Sequence, residues 1–207
     1  FQAEDGIRDF CLSRGLGDVY KRQVLIPRPE TEQLVHLVLE ENRGTHKKVL
    51  DIGTGSGCIA LALKNAWNES TITACDISEE ALEVARKNAK DLSINVDFYQ
   101  TDILTNEIAA YDILVSNPPY ISLSEKDTMH KNVIENEPHL ALFVADKDPL
   151  IFYKRIIQLA EKQRAICYFE TSEFYRTSLD SWLIESGYSF EWKDDFQGKD
   201  RILKVIW

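Results

Sequence analysis

Asn117, Pro118, Pro119 and Tyr120 directly follow "YDILV", an apolar run that reads as a buried strand. A strand that stops on an amide, two rigid imide residues and an aromatic ring can hold a planar –NH2 group. Pro118 and Pro119 have fixed φ and no N–H, so the turn loses little entropy on ordering and its carbonyl directions are set in advance. The amine or amide can donate one hydrogen bond to the Asn117 side-chain oxygen and one to the Pro118 carbonyl, with Tyr120 against its flat face. Held that way, its nitrogen lone pair points along the remaining direction. An amide nitrogen is a poor nucleophile, so a reaction there depends on positioning and on carbonyl dipoles that favour developing positive charge.

A second group of residues supplies a place for the reaction partner. "DIGTGSG", Asp51 to Gly57, follows a short apolar strand and opens a helix. Gly53, Gly55 and Gly57 permit a tight turn and a close approach of backbone to ligand. The spacing is GxGxG rather than the dinucleotide GxGxxG, and no GK[ST] ending provides the lysine of a phosphate loop. Asp51 beside the loop repels a pyrophosphate but suits a cofactor with a cationic centre and an ammonium group, as S-adenosylmethionine has. Asp76 ends the next strand, where a carboxylate can accept both ribose hydroxyls. Asp102 ends the one after, where adenine would lie with Ile103 against its ring. Thr54 and Ser56 within the loop, Ile77 after Asp76, and Asn117 complete the expected cofactor contacts; no metal is expected.

The elements that must position these residues alternate. "RPETEQLVHLVLEEN" has near-helical apolar spacing with Pro29 and Glu30 at its start. After it come strand "KKVLDIG", helix "GCIALALKNAW", strand "STITACDIS" and a helix opened by Ser78 as N-cap. Strands "VDFYQTD" and "YDILVSN", helix "DPLIFYKRIIQLAEKQ", strand "AICYFET", helix "TSLDSWLIESG" and a hairpin of "YSFEWKDDF" with "RILKVIW" follow. Such alternation implies βαβ crossovers and an α/β fold, a mostly parallel sheet between helical layers. Residues 121–149 are too long for an ordinary connection and read as a lid or substrate-binding segment.

Composition narrows the function. The 207 residues, 44% hydrophobic and 28% charged, suit one domain, and no apolar stretch approaches the roughly 20 residues of a membrane span. A formal charge of −10 gives no footprint for a phosphate backbone, so direct nucleic-acid binding is not expected. Cys11, Cys58, Cys75 and Cys167 stand far apart, as in a reduced cytoplasmic protein. A monomer is expected. The first 23 residues carry no sustained apolar period; they resemble a translated sequencing-adaptor junction or else read as a disordered arm, which sets residues 1–23 apart from a domain at 24–207.

"VLIPRPETEQLV", "LDIGTGSGCIALAL", "SNPPYI", "NEPHLAL" and "DDFQGKDRIL" together resemble the HemK/PrmC family, the glutamine methyltransferases of peptide chain release factors. The resemblance covers residues 24–207. It implies a Rossmann-like class I methyltransferase sheet of seven strands with the last antiparallel, and S-adenosylmethionine as methyl donor, leaving as S-adenosylhomocysteine. It also implies a substrate site of Asn117, Pro118, Pro119 and Tyr120 around the glutamine of a Gly-Gly-Gln loop. Asn117, Pro118 and Tyr120 carry the catalytic role, and Arg28 and Glu30 shape the mouth of the site. Family members carry an N-terminal helical docking domain that residues 1–23 do not resemble, so cofactor binding with weakened release-factor methylation is the expectation. "NPPY" alone also resembles amino-methyltransferases acting on adenine, and a cofactor-binding module without catalysis is a further reading.

Overall fold

Side-chain alternation along each strand decides how this chain layers. In the computed structural model, which describes residues 28–43, 46–122, 143–144, 148–195 and 198–207, successive strand residues are buried on opposite faces, as the pleat requires. Val49, Ile113, Val115 and Tyr168 join one buried cluster; Leu50, Leu114, Cys167 and Phe169 join another. The sheet is therefore covered twice.

Seven strands form that sheet: β1 (Lys48–Ile52), β2 (Thr71–Asp76), β3 (Asp97–Gln100), β4 (Ile113–Ser116), β7 (Ile166–Glu170), β8 (Ser189–Asp194) and β9 (Asp200–Ile206). Their order is β3-β2-β1-β4-β7-β9-β8. Five run parallel as neighbours, while β9 is antiparallel to both β7 and β8. β5 (Ile121–Ser122) and β6 (Phe143–Val144) make a separate parallel pair. The seven-stranded sheet with an antiparallel final strand is the one the family resemblance implies. Residues 1–23, and most of the predicted lid segment at 121–149, lie outside the described residues.

Helix α1 (Pro29–Glu41) starts on Pro29, with Glu30 and Glu32 in its first turn, where a missing N–H costs nothing and negative charge meets the helix dipole favourably. Leu34, Val35 and Val38 place it on the first face, with α2 (Cys58–Ala66). Helix α3 (Glu79–Leu92) opens on Ser78, whose hydroxyl accepts the Ala81 N–H at 3.1 Å. Its Ala89 belongs to the same cluster. Helices α4 (Ile151–Glu161) and α5 (Arg176–Glu185) cover the second face through Ile156, Ile157, Leu179 and Leu183. A 3-10 turn, Glu173–Tyr175, precedes α5.

Strand order reverses direction at β1, whose neighbours are β2 on one side and β4 on the other. Helices leaving the two sides diverge there, opening a crevice beyond the carboxyl ends of the strands, which is where open α/β sheets bind ligands.

Candidate functional site

The crevice beyond β1 is floored by the glycine loop. Gly53, Gly55 and Gly57 all have positive φ, at 71°, 55° and 83°, in the region that side chains disfavour. The Gly53 and Thr54 N–H groups both donate to the Cys75 carbonyl, at 2.9 and 3.0 Å, so the loop folds over the end of β2. A Cβ at Gly53 or Gly55 would meet nothing within 4 Å, whereas one at Gly57 would lie 3.1 Å from the Ala85 Cβ. The first two glycines therefore face open space and the third faces a packed helix.

Asp51 is fully buried beneath the loop. Its Oδ2 accepts the Thr54 hydroxyl at 2.6 Å and the Ala60 N–H at 3.1 Å, while Oδ1 has no partner. Burial pushes the carboxyl up to about 7, against the pull of the Thr54 and Ala60 hydrogen bonds and with a further push from Asp76. A buried carboxylate oxygen without a donor is costly, and a cationic ligand group in the crevice would relieve it. Ser56 Oγ is likewise buried without a partner.

Asp76 joins the loop to α3: Oδ2 accepts the Gly55 N–H at 2.9 Å and Oδ1 the Ser78 N–H at 3.0 Å. Each oxygen keeps a second lone pair, which suits a vicinal diol. Ile77 beside it is half exposed. Asp102, beyond β3, uses Oδ1 to accept the Leu104 N–H at 2.9 Å and its carbonyl to accept from Asn106. Ile103 is buried in the second-face cluster.

On the other side of β1, register brings the Asn-Pro-Pro-Tyr turn to the loop. Ser116 is paired with Ile52 and donates its hydroxyl to the Ile52 carbonyl at 2.7 Å, so Asn117 leaves the sheet level with Gly53. Pro118 is buried; Asn117, Pro119 and Tyr120 are partly so. Arg28, the N-cap of α1, donates from Nη1 to the Tyr120 hydroxyl at 3.3 Å. Burial pushes the Tyr120 phenol up. Glu30 sits in the first turn of the same helix, half-buried.

Along the carboxyl edge the sequence-predicted residues thus fall in one spatial order: Asp102, Asp76, the glycine loop, then the Asn117 turn, with Arg28 above Tyr120. Three supporting residues carry no local sequence signal. Asn88 of α3 is buried and donates to the Ser56 carbonyl at 2.9 Å. Arg155 of α4 donates to the carbonyls of Ile103 at 3.1 Å and Asn106 at 2.8 Å, pinning the loop that carries Asp102. Glu170, at the end of β7, is buried and bonded to Thr31.

A mostly parallel sheet with a glycine loop at its switch point, acids at successive strand ends and an Asn-Pro-Pro-Tyr turn beside the loop is the arrangement of a methyltransferase. The sequence model of the family described as Methyltransferase small domain matches residues 30–141. The chain is 44% identical over 187 residues to a release factor glutamine methyltransferase of Bacteroides thetaiotaomicron, covering 87% of this chain and 67% of that protein. It is 42% identical over 203 residues to one of Flavobacterium psychrophilum, covering 92% and 70%. The chain belongs to the release factor glutamine methyltransferase family. Among solved structures, the hMettl16 catalytic domain has a TM-score of 0.73 at 19% identity, covering 100% of this chain and 82% of that one. A ribosomal protein L11 methylase from Lactobacillus delbrueckii subsp. bulgaricus has a TM-score of 0.60 at 22%, covering 87% and 79%. These two show the fold alone.

Proposed function

We propose that residues 24–207 form a catalytic domain that transfers a methyl group from S-adenosylmethionine to the side-chain amide nitrogen of the Gly-Gly-Gln glutamine in a peptide chain release factor. The observation that carries this reading is the pairing of Ser116 with Ile52, which puts the Asn117 to Tyr120 turn beside a glycine loop whose floor is a buried, part-unsatisfied carboxylate. The cofactor, when bound, supplies an electrophilic methyl on a sulfonium.

Each residue has a task in that reaction. Asp51 and the loop from Gly53 to Gly57, with Thr54 and Ser56, hold the cationic methionine end; Asp76 and Ile77 hold the ribose, and Asp102 and Ile103 adjoin the adenine. The Asn117 side-chain oxygen and the Pro118 carbonyl accept the two amide hydrogens of the substrate, while Pro119 and Tyr120 wall its flat face. Held there, the amide nitrogen would face the methyl group that bound S-adenosylmethionine supplies, with S-adenosylhomocysteine as the leaving product and the extra proton on nitrogen released to water. Carbonyl dipoles aimed at that nitrogen act where positive charge develops, and fixed geometry supplies the remainder. Arg28 and Glu30 shape the mouth through which the loop of the protein substrate enters.

The same turn could hold the exocyclic amine of adenine, but the charge of −10 opposes a polyanion. Among the described residues no helix is long and apolar enough to cross a membrane. The test is to incubate the protein with methyl-labelled cofactor and either a release factor or adenine-containing DNA. Label on the release-factor glutamine is expected. Label on DNA would support the adenine reading, and cofactor binding with transfer to neither would leave a non-catalytic module.

A further inference from the structure

A carboxyl group at the end of a central strand needs a reason to be dry. Glu170 is 1% exposed, and burying an acid costs more than burying an apolar residue of similar size. Its Oε2 accepts the Thr31 hydroxyl at 2.6 Å, across 139 residues of chain. Its backbone carbonyl accepts the Tyr153 hydroxyl of α4 at 3.2 Å, so the strand end is held from the opposite layer. Burial pushes the carboxyl up to about 7, while the Thr31 bond, Arg28 and Arg201 draw it down and Glu30 opposes them.

The geometry explains what this arrangement fixes. β4 and β7 pair with Ser116 beside Phe169, so Glu170 stands level with Asn117, the first residue beyond β4. Thr31 and Arg28 are three apart at the start of α1 and share one face of it, and the Thr31 N–H donates to the Arg28 carbonyl at 3.0 Å. Arg28 in turn reaches the Tyr120 hydroxyl. A closed circuit results: from β7 through Glu170 to Thr31, along one turn of α1 to Arg28, and down to Tyr120 on the turn that leaves β4.

We propose that the Thr31–Glu170 hydrogen bond is a positioning tie for the acceptor site, holding the first turn of α1 so that Arg28 sets Tyr120 against the substrate amide. Neither residue touches the reacting atoms. Apart from Asn117, the expected cofactor contacts lie beyond β1, β2 and β3, and the tie reaches only Tyr120, so it acts on the protein substrate and leaves cofactor affinity alone. This inference rests on the proposed acceptor site.

Thr31→Val removes the hydroxyl at nearly constant volume, and Thr31→Ser keeps it. With a Gly-Gly-Gln peptide and S-adenosylhomocysteine in calorimetry, Thr31→Val should weaken peptide binding roughly fivefold, the ratio for one lost hydrogen bond. Thr31→Ser should restore it, and the affinity for S-adenosylhomocysteine should be unchanged in both. Glu170→Ala should match Thr31→Val, with no further loss in the double variant; if Glu170→Ala does not fold, the two Thr31 variants decide. Equal weakening of cofactor and peptide, or of neither, overturns the tie. Hydrogen exchange of residues 28–34 gives a readout independent of substrate: Thr31→Val should speed it. If the wild-type protein binds no such peptide, the reading of function fails, and unchanged exchange in Thr31→Val then overturns the tie on its own.

Discussion

Asn88 Nδ2 and the Ser56 carbonyl, 2.9 Å apart, join α3 to the glycine loop one whole crossover earlier in the chain. The loop is therefore held from beside as well as from the strand and helix it connects. Replacing Asn88 with Leu strands a buried carbonyl, at a cost of about 1–3 kcal/mol, and frees the loop. A lowered denaturation midpoint together with roughly tenfold weaker cofactor binding is expected. A lowered midpoint with unchanged affinity would reduce Asn88 to packing.

Gly53 and Gly57 separate two effects of a methyl group. Alanine at either meets the same left-handed backbone penalty of about 1–2 kcal/mol, because φ is 71° and 83°. Only at Gly57 does the added carbon press on Ala85 and Leu61, at 3.1 and 3.3 Å. Thermal unfolding should show Gly57→Ala as the less stable variant. Calorimetry should show Gly53→Ala weakening the cofactor through its open side. Equal melting temperatures would contradict the packing argument.

The two raised carboxyls predict a pH dependence of fixed sign. Asp51 rises from 3.8 to about 7 on folding and Glu170 from 4.5 to about 7, so the folded state keeps protons that the unfolded chain has released. Their contribution to stability is complete below the unfolded values and is lost as pH climbs through about 7. Cofactor-free protein should therefore lose stability from pH ~5 to pH ~8, and Asp51→Asn should flatten part of that slope while abolishing cofactor binding. Denaturant midpoints across that range check it; parallel slopes for variant and wild type would refute the assignment to Asp51.

Asn117→Ala removes one of the two proposed amide acceptors without touching the glycine loop. By analogy with the loss of a single oxyanion donor, transfer to a release factor should fall by about 100-fold or more, with cofactor affinity weakened by less than about tenfold. Single-turnover transfer and calorimetry on the same preparation measure both. Full transfer activity in the variant would remove Asn117 from the reaction.

Legibility in the sequence followed range. The stretch from β1 to α2 announces itself because a strand, a glycine loop and a helix start lie within about a dozen consecutive residues, and the Ser78 cap is equally local. Strand ends at Asp76, Asp102 and Asn117 follow from the same alternation. Glu170 and Thr31 could not be found that way: each looks like an ordinary residue in its own segment, and only the packing of α1 on β7 and the β4–β7 register bring them to one site. Arg155 is similar, a surface cation of α4 by pattern and a staple of the Asp102 loop by contact. The position of β9 inside the sheet also had no local mark, since a hairpin reads the same whichever of its strands meets the older sheet.

That position has a consequence for the order of assembly. β9 bonds to β7 on one side and β8 on the other, although it is made after both. Until residues 200–206 leave the ribosome, β7 has an unpaired edge, and the helix–strand units around the cofactor crevice, built from β1 to β4, can settle first. The hairpin must then dock as one piece against a strand made some 30 residues earlier, a slow non-local step. Glu170, paired with Ile202 in that docking, is then among the last residues to be fixed, so the crevice beyond β1 to β4 is expected to form before the strand end that carries Glu170 is locked.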